Sequence, residues 1–158
     1  MTLTVAGYRA AMANPYSIHI ESQRSLLRFE VEGFWSLECV ASFRAELVAA
    51  LGPLIAAGRP FDLLADLSRY PPQARVVSDQ MQESLIRGAD LGLRRVACVA
   101  RSAVTRLQFA RVAAAQNFMF FTSVDRARDW LGHEPDEKTQ RRVADYGCAP
   151  RSTSITAV

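Results

Sequence analysis

The chain has 158 residues and a mass of 17.5 kDa, the size of one domain. With 49% hydrophobic and 22% charged residues, it can bury roughly 70% of its unfolded surface in one core, which excludes a disordered body. The formal charge is only +3, from 19 basic against 16 acidic side chains. The basic residues are scattered, so no nucleic-acid partner is expected. No run approaches the length of a membrane span, and residues 1–15 lack the apolar stretch of a secretory signal.

Residues 1–15 show no clear periodicity and read as an N-terminal arm. Tyr16–Ser22 alternates, with Ile18 and Ile20 on the face of Tyr16, and predicts a strand. Leu26–Glu32 alternates again, Leu27, Phe29 and Val31 against Arg28, Glu30 and Glu32. The short separation at Gln23-Arg24 predicts an antiparallel hairpin.

Ser36 is placed to cap a long helix, with Glu38 at its positive end. Val40, Phe43, Leu47, Ala50, Leu51 and Leu54 fall in one stripe. Pro53 is expected to kink or end this helix, because its ring conflicts with the carbonyl four residues earlier. Phe61–Leu67 has the apolar density of a central strand. A loop fixed by Pro71 and Pro72 follows, then a helix over 75–91 and a buried strand over 95–100.

Ser102 caps a third helix, expected over 103–117. Ala103, Leu107, Ala110 and Ala114 form one narrow face, whose small alanines suit close approach to a sheet. Thr105, Phe109, Val112 and Gln116 form another face. The expectation is that this second face stays partly exposed, as a surface for a partner or a bed for the C-terminal extension. A short strand over 118–121 and a last helix capped by Ser123 complete the body. Residues 133–158 form an extension in which 135–146 suits a helix. The order β-β-α-β-α-β-α-β-α predicts an α/β fold with a mixed, mostly parallel sheet of four to five strands over residues 16–132.

Cys39, Cys98 and Cys148 match no disulfide or zinc spacing, which suits a reducing cytoplasm. His19 and His133 are the only histidines, and His19 has no assignable nucleophile beside it. There is no P-loop, GxGxxG, HExxH or GxSxG motif. Neither catalysis, a metal nor a cofactor is expected. Asp66 ends the central strand, where open α/β sheets bind ligands, but its short side chain is better suited to fixing the turn.

Four segments carry a family resemblance: Leu26-Leu-Arg-Phe-Glu-Val-Glu-Gly33, Phe61-Asp-Leu-Leu-Ala-Asp-Leu-Ser68, Arg94-Arg-Val-Ala-Cys-Val-Ala100, and Phe120 through Leu131 with its cap, Ala and Trp-Leu. In this order they resemble a STAS domain, the fold of bacterial anti-sigma-factor antagonists. They lie nearest the STAS-like branch that lacks the phosphoserine motif. Antagonists of that family carry Asp-Ser-Ser-Gly at the helix after the central strand, and its serine is phosphorylated. Here that stretch reads Tyr70-Pro-Pro-Gln-Ala-Arg-Val-Val77, with Arg75 near the serine's place. The phosphoswitch therefore does not carry over. Ser68, expected in a turn, and Ser78, expected to face solvent, are the nearby alternatives.

The resemblance implies a non-catalytic cytoplasmic module that binds a protein partner and forms a homodimer. Its candidate sites are the Thr105, Phe109, Val112, Gln116 face and the loop after the central strand, with Asp66, Ser68, Tyr70 and Arg75. The alternative is a carrier of an apolar small molecule, with Trp35, Met81, Phe118 and Met119 lining a pocket.

Overall fold

Alternation in the first two segments sets up the sheet. In the computed structural model, which describes residues 15–133, β1 (Tyr16–Glu21) and β2 (Leu26–Glu32) form an antiparallel hairpin with Tyr16 opposite Val31. A 3-10 turn at Ser22–Arg24 joins them. β3 (Phe61–Arg69), β4 (Leu93–Val99) and β5 (Phe118–Phe121) then add in parallel. The spatial order is the chain order, β1-β2-β3-β4-β5. The expected mixed, mostly parallel α/β sheet is therefore present, with five strands.

The helices are α1 (Leu37–Ala56), α2 (Arg75–Gly88), α3 (Ala103–Gln108), α4 (Ala110–Ala115) and α5 (Val124–Gly132). Three start on the serines that the sequence marks. Ser36 accepts the Cys39 N–H at 3.1 Å, Ser102 that of Thr105 at 3.4 Å, and Ser123 that of Arg126 at 3.3 Å. Each satisfies an otherwise orphan first-turn donor.

Side-chain alternation divides the protein into layers. Leu27, Phe29 and Val31 of β2 join Leu63, Ala65 and Leu67 of β3 and Val96 and Cys98 of β4 in the main core. Val40, Phe43, Leu51 and Leu54 of α1 and Val77, Met81 and Leu85 of α2 close that core. The other face is smaller. There Leu26, Leu64, Ala97 and Val99 meet Ala127 of α5, flanked by Val124, Trp130 and Leu131. α5 lies over β3, β4 and β5.

Four sequence expectations are corrected. α1 does not end at Pro53 but runs on to Ala56, because the missing N–H falls near the helix end. The Pro53 carbonyl still accepts the Ala57 N–H at 3.1 Å. The second helix stops at Gly88, and a 3-10 turn over Ala89–Leu91 ends at Gly92, whose φ of 106° needs a glycine. Ser78 is buried and hydrogen-bonded to Gln82, not turned to solvent.

The fourth correction concerns the third helix. It is two short helices that break at Phe109, and the face expected to be exposed points inward. Phe109 is 1% exposed, Val112 0% and Thr105 1%. Gln116 is half-buried and donates to the carbonyls of Leu85 and Ile86 at the end of α2. The alanine face, with Leu107, points outward. The reason is area: burying a phenylalanine and a valine removes far more apolar surface from water than burying alanines. The expected helix over 135–146, residues 1–14 and Cys148 lie outside the described residues.

α1 is, by length and composition, the one described helix apolar enough to cross a membrane. Its apolar stripe packs on the sheet, and its Arg44 reaches Ser84 Oγ at 3.0 Å and Gln80 Oε1 at 2.8 Å on α2.

Candidate functional site

The parallel strands β2, β3 and β4 deliver three connections to one end of the sheet. These are Gly33–Ser36, Tyr70–Ala74 and the segment leading into α3. Gln73, buried, ties them together. Its Nε2 donates to Gly33 O at 2.9 Å and Pro71 O at 2.8 Å, and its Oε1 accepts the Trp35 N–H at 2.9 Å. Its backbone is read by one side chain: the Gln73 N–H donates to Gln108 Oε1 at 3.0 Å, and Gln108 Nε2 donates to Gln73 O at 2.9 Å. A buried amide with all these partners holds loops that otherwise have no ladder to fix them.

The aromatic layer beneath is equally constrained. The Trp35 ring meets Phe43 at 5.2 Å, Tyr16 at 5.6 Å and Tyr70 at 5.6 Å, and its Nε1 donates to Glu32 O at 2.9 Å. With Trp35 turned in, Phe34 turns out and is 81% exposed. Leu107, next to Gln108, is 74% exposed, and Leu37, Val76 and Val104 stand exposed at the same end. Phe34 thus projects from backbone that the Gln73 cluster fixes, and Leu107 from the helix whose Gln108 side chain joins that cluster.

The predicted loop residues separate. Asp66 and Ser68 come together: Asp66 Oδ1 accepts the Ser68 N–H at 3.0 Å and also the Ser68 hydroxyl. Asp66 fixes the strand end, as its side-chain chemistry suggests. Tyr70 is buried under Trp35, and its hydroxyl has no partner among the described residues. Burial pushes that phenol's pKa well above its ordinary value. Arg75 is exposed in the first turn of α2, whose N-cap is Ala74 with no side-chain cap. No hydroxyl stands where the resemblance would place a phosphorylated serine.

A shallow cavity of about 310 Å³ lies on the β1–β3 side of this end, between Tyr16, Glu30, Glu32, Asp66, Ser68 and Arg69. Its glutamates are paired, Glu30 with the neighbouring Arg28 and Glu32 with Arg69. Among the described residues no cluster of three His, Cys, Asp or Glu has the geometry to hold a metal. His19 is exposed on the face of β1 opposite the main core, whereas Cys39 packs against that core from α1. The two do not form a dyad. Burial also raises the Cys39 pKa, which favours the thiol. Trp35 and Met81 are buried in the core and Met119 is exposed, and neither cavity described in this protein is lined by them.

Sequence reasoning did not find Phe34, Gln73, Leu107 or Gln108. The one local signal was the aromatic pair Phe34-Trp35 between Gly33 and the Ser36 cap.

This arrangement is the SpoIIAA-like, or STAS, fold. A protein from Shewanella loihica, described as an uncharacterized member of the DUF3478 family with a SpoIIAA-like fold, superposes with a TM-score of 0.55 at 22% identity. The match covers 73% of this chain and 93% of that one. An anti-sigma factor antagonist from Mycobacterium paratuberculosis superposes with a TM-score of 0.49 at 18% identity, over 75% and 95% of the two chains. No protein-family model and no curated protein matches the sequence.

Proposed function

We propose that this protein is a non-catalytic regulatory or protein-interaction module of a bacterial cytoplasm that docks a partner without the usual phosphorylatable serine of the antagonists. One observation carries the reading. Phe34 and Leu107 are the two most exposed large apolar side chains among the described residues; the backbone on both sides of Phe34 bonds Gln73, and Leu107 precedes Gln108, whose side chain bonds the Gln73 backbone. Exposed apolar anchors on pre-ordered backbone lose little entropy on binding, which is the economy of an interaction surface. The exposed Arg75 at its rim suits charge steering of the encounter. A second copy of the chain is one such partner, giving a homodimer.

Site-specific photocrosslinking in cells tests this. A photoreactive residue at Phe34 or at Leu107 is expected to trap the same protein, and one at the exposed Leu91 is not. A product of twice the chain mass identifies the homodimer. Failure of positions 34 and 107 to trap a common protein, or equal trapping at 91, overturns the reading.

A further inference from the structure

The opposite end of the sheet carries a different kind of surface. The geometry points to a binding site there for a small phosphomonoester. A cavity of about 340 Å³ opens where β2, β3 and β4 begin and α5 ends. Four arginines line it, Arg24, Arg94, Arg95 and Arg128, around Asp62, and Leu26 and Leu131 give it an apolar wall.

The arginines are not equivalent. Arg95 is buried and saturated, since its donors are taken by Asp62 and by the carbonyls of Trp130, Leu131 and His133. Arg94 spends Nε and Nη2 on Asp62, at 3.2 and 3.0 Å, and its Nη1 has no partner among the described residues. Arg128 donates from Nη2 to Glu21 at 3.0 Å, which leaves its other N–H groups free of described partners. Arg24 stands exposed on the 3-10 turn and forms no ion pair among the described residues. Among the described residues, four guanidiniums therefore face two carboxylates, Asp62 and Glu21, and two positive charges are left over.

That surplus selects the ligand. A dianionic phosphate matches two charges and offers three terminal oxygens to guanidinium N–H groups at fixed angles. A monocarboxylate neutralises only half. The cavity exceeds the bulk of a phosphate group, and Leu26 and Leu131 give an ester substituent an apolar seat. Asp62 and Arg95 act as positioning residues: they anchor Arg94 and the end of α5, while Arg24, Arg94 and Arg128 make the contacts. The site lies away from the Phe34–Leu107 face, so it stands or falls independently of the proposed docking role.

The test is a titration of the full chain at low ionic strength, followed through the arginine Nε–H resonances. Phenyl phosphate is expected to saturate the Arg24, Arg94 and Arg128 signals with a Kd of about 1 mM or tighter. Benzoate and inorganic phosphate are each expected to bind roughly tenfold more weakly. Arg24→Ala and Arg128→Gln are expected to weaken phenyl phosphate binding roughly tenfold each, and Arg24→Ala is expected to leave the thermal midpoint unchanged. Arg24 is exposed, so that variant keeps the fold testable. Absence of saturation, benzoate or inorganic phosphate binding as tightly as phenyl phosphate, or undiminished binding in Arg24→Ala overturns the proposal.

Discussion

Arg95 and Asp62, both buried, form a two-pronged ion pair across β4 and β3, with Nη2–Oδ2 at 2.7 Å and Nε–Oδ1 at 3.3 Å. The same guanidinium reaches past the sheet to Leu131 O at 3.0 Å and His133 O at 2.8 Å, at the negative end of α5. It also lies 5.3 Å from the centre of the Trp130 ring. One side chain thus joins two strands to the helix that covers the smaller face.

Removing the counter-charge leaves Arg95 buried and uncompensated. Asp62→Asn keeps the shape and deletes the charge, and is expected to cost about 3–5 kcal/mol by urea unfolding. Arg94 shares the carboxylate but is more exposed, so Arg94→Ala is expected to cost about 1 kcal/mol or less. Equal losses would show that Asp62 acts mainly through Arg94.

Gln73 holds the loops 33–36 and 70–74 together through its side chain. Gln73→Ala leaves the buried Trp35 N–H and the Gly33 carbonyl without their partner. The expected loss is about 1–3 kcal/mol. Amide exchange at residues 33–35 and 70–74 is expected to speed up more than exchange in β3. Uniform acceleration across the sheet would show that the cluster serves global stability instead of local order.

The orientation of α3 and α4 gives a third contrast. Phe109→Ala opens a cavity in the main core and is expected to cost about 3–5 kcal/mol. Leu107→Ala removes an exposed side chain and is expected to stay within about 0.5 kcal/mol. Chemical denaturation of both variants separates the two orientations, because the reverse ranking would place Leu107 in the core.

That contrast also marks where the sequence was legible. The strand alternation in 26–32, the apolar run at 61–67 and the serine caps at 36, 102 and 123 are local signals: the first two produced the expected strands, and a helix starts after each of the three serines. In 103–116 two stripes competed, and small residues in one suggested close packing. The choice depended on which stripe buried more area against elements far away in sequence. The Gln73–Gln108 pair spans 35 positions and has no local signature at all. The neighbours Phe34 and Trp35 are equally apolar in sequence, and only the tertiary cluster of Tyr16, Phe43 and Tyr70 decides that the indole goes inside.

Tyr16 supplies a pH prediction from the same cluster. Its phenol donates to Glu46 Oε1 at 2.9 Å, and its ring meets Phe43 at 5.2 Å. Burial, then the hydrogen bond and the charge of Glu46, push its pKa from 10.0 up to about 12. Below pH 10 the phenol is neutral in folded and unfolded chains, and its full contribution is present. Between 10 and 12 the unfolded chain loses the proton first, so the folded state holds more protons and stability falls as pH rises. Above about 12 the contribution is gone. Tyr16→Phe retains the ring and cannot ionise, so unfolding free energy is expected to fall less steeply over that window than in the parent. Tyr70, with its own raised pKa, is common to both proteins and cancels from the difference. Glu46→Gln keeps an acceptor and removes the charge, and is expected to narrow the window without abolishing it, because burial remains the largest cause. Parallel stability curves for the parent and Tyr16→Phe would show that the phenol titrates alike in both states.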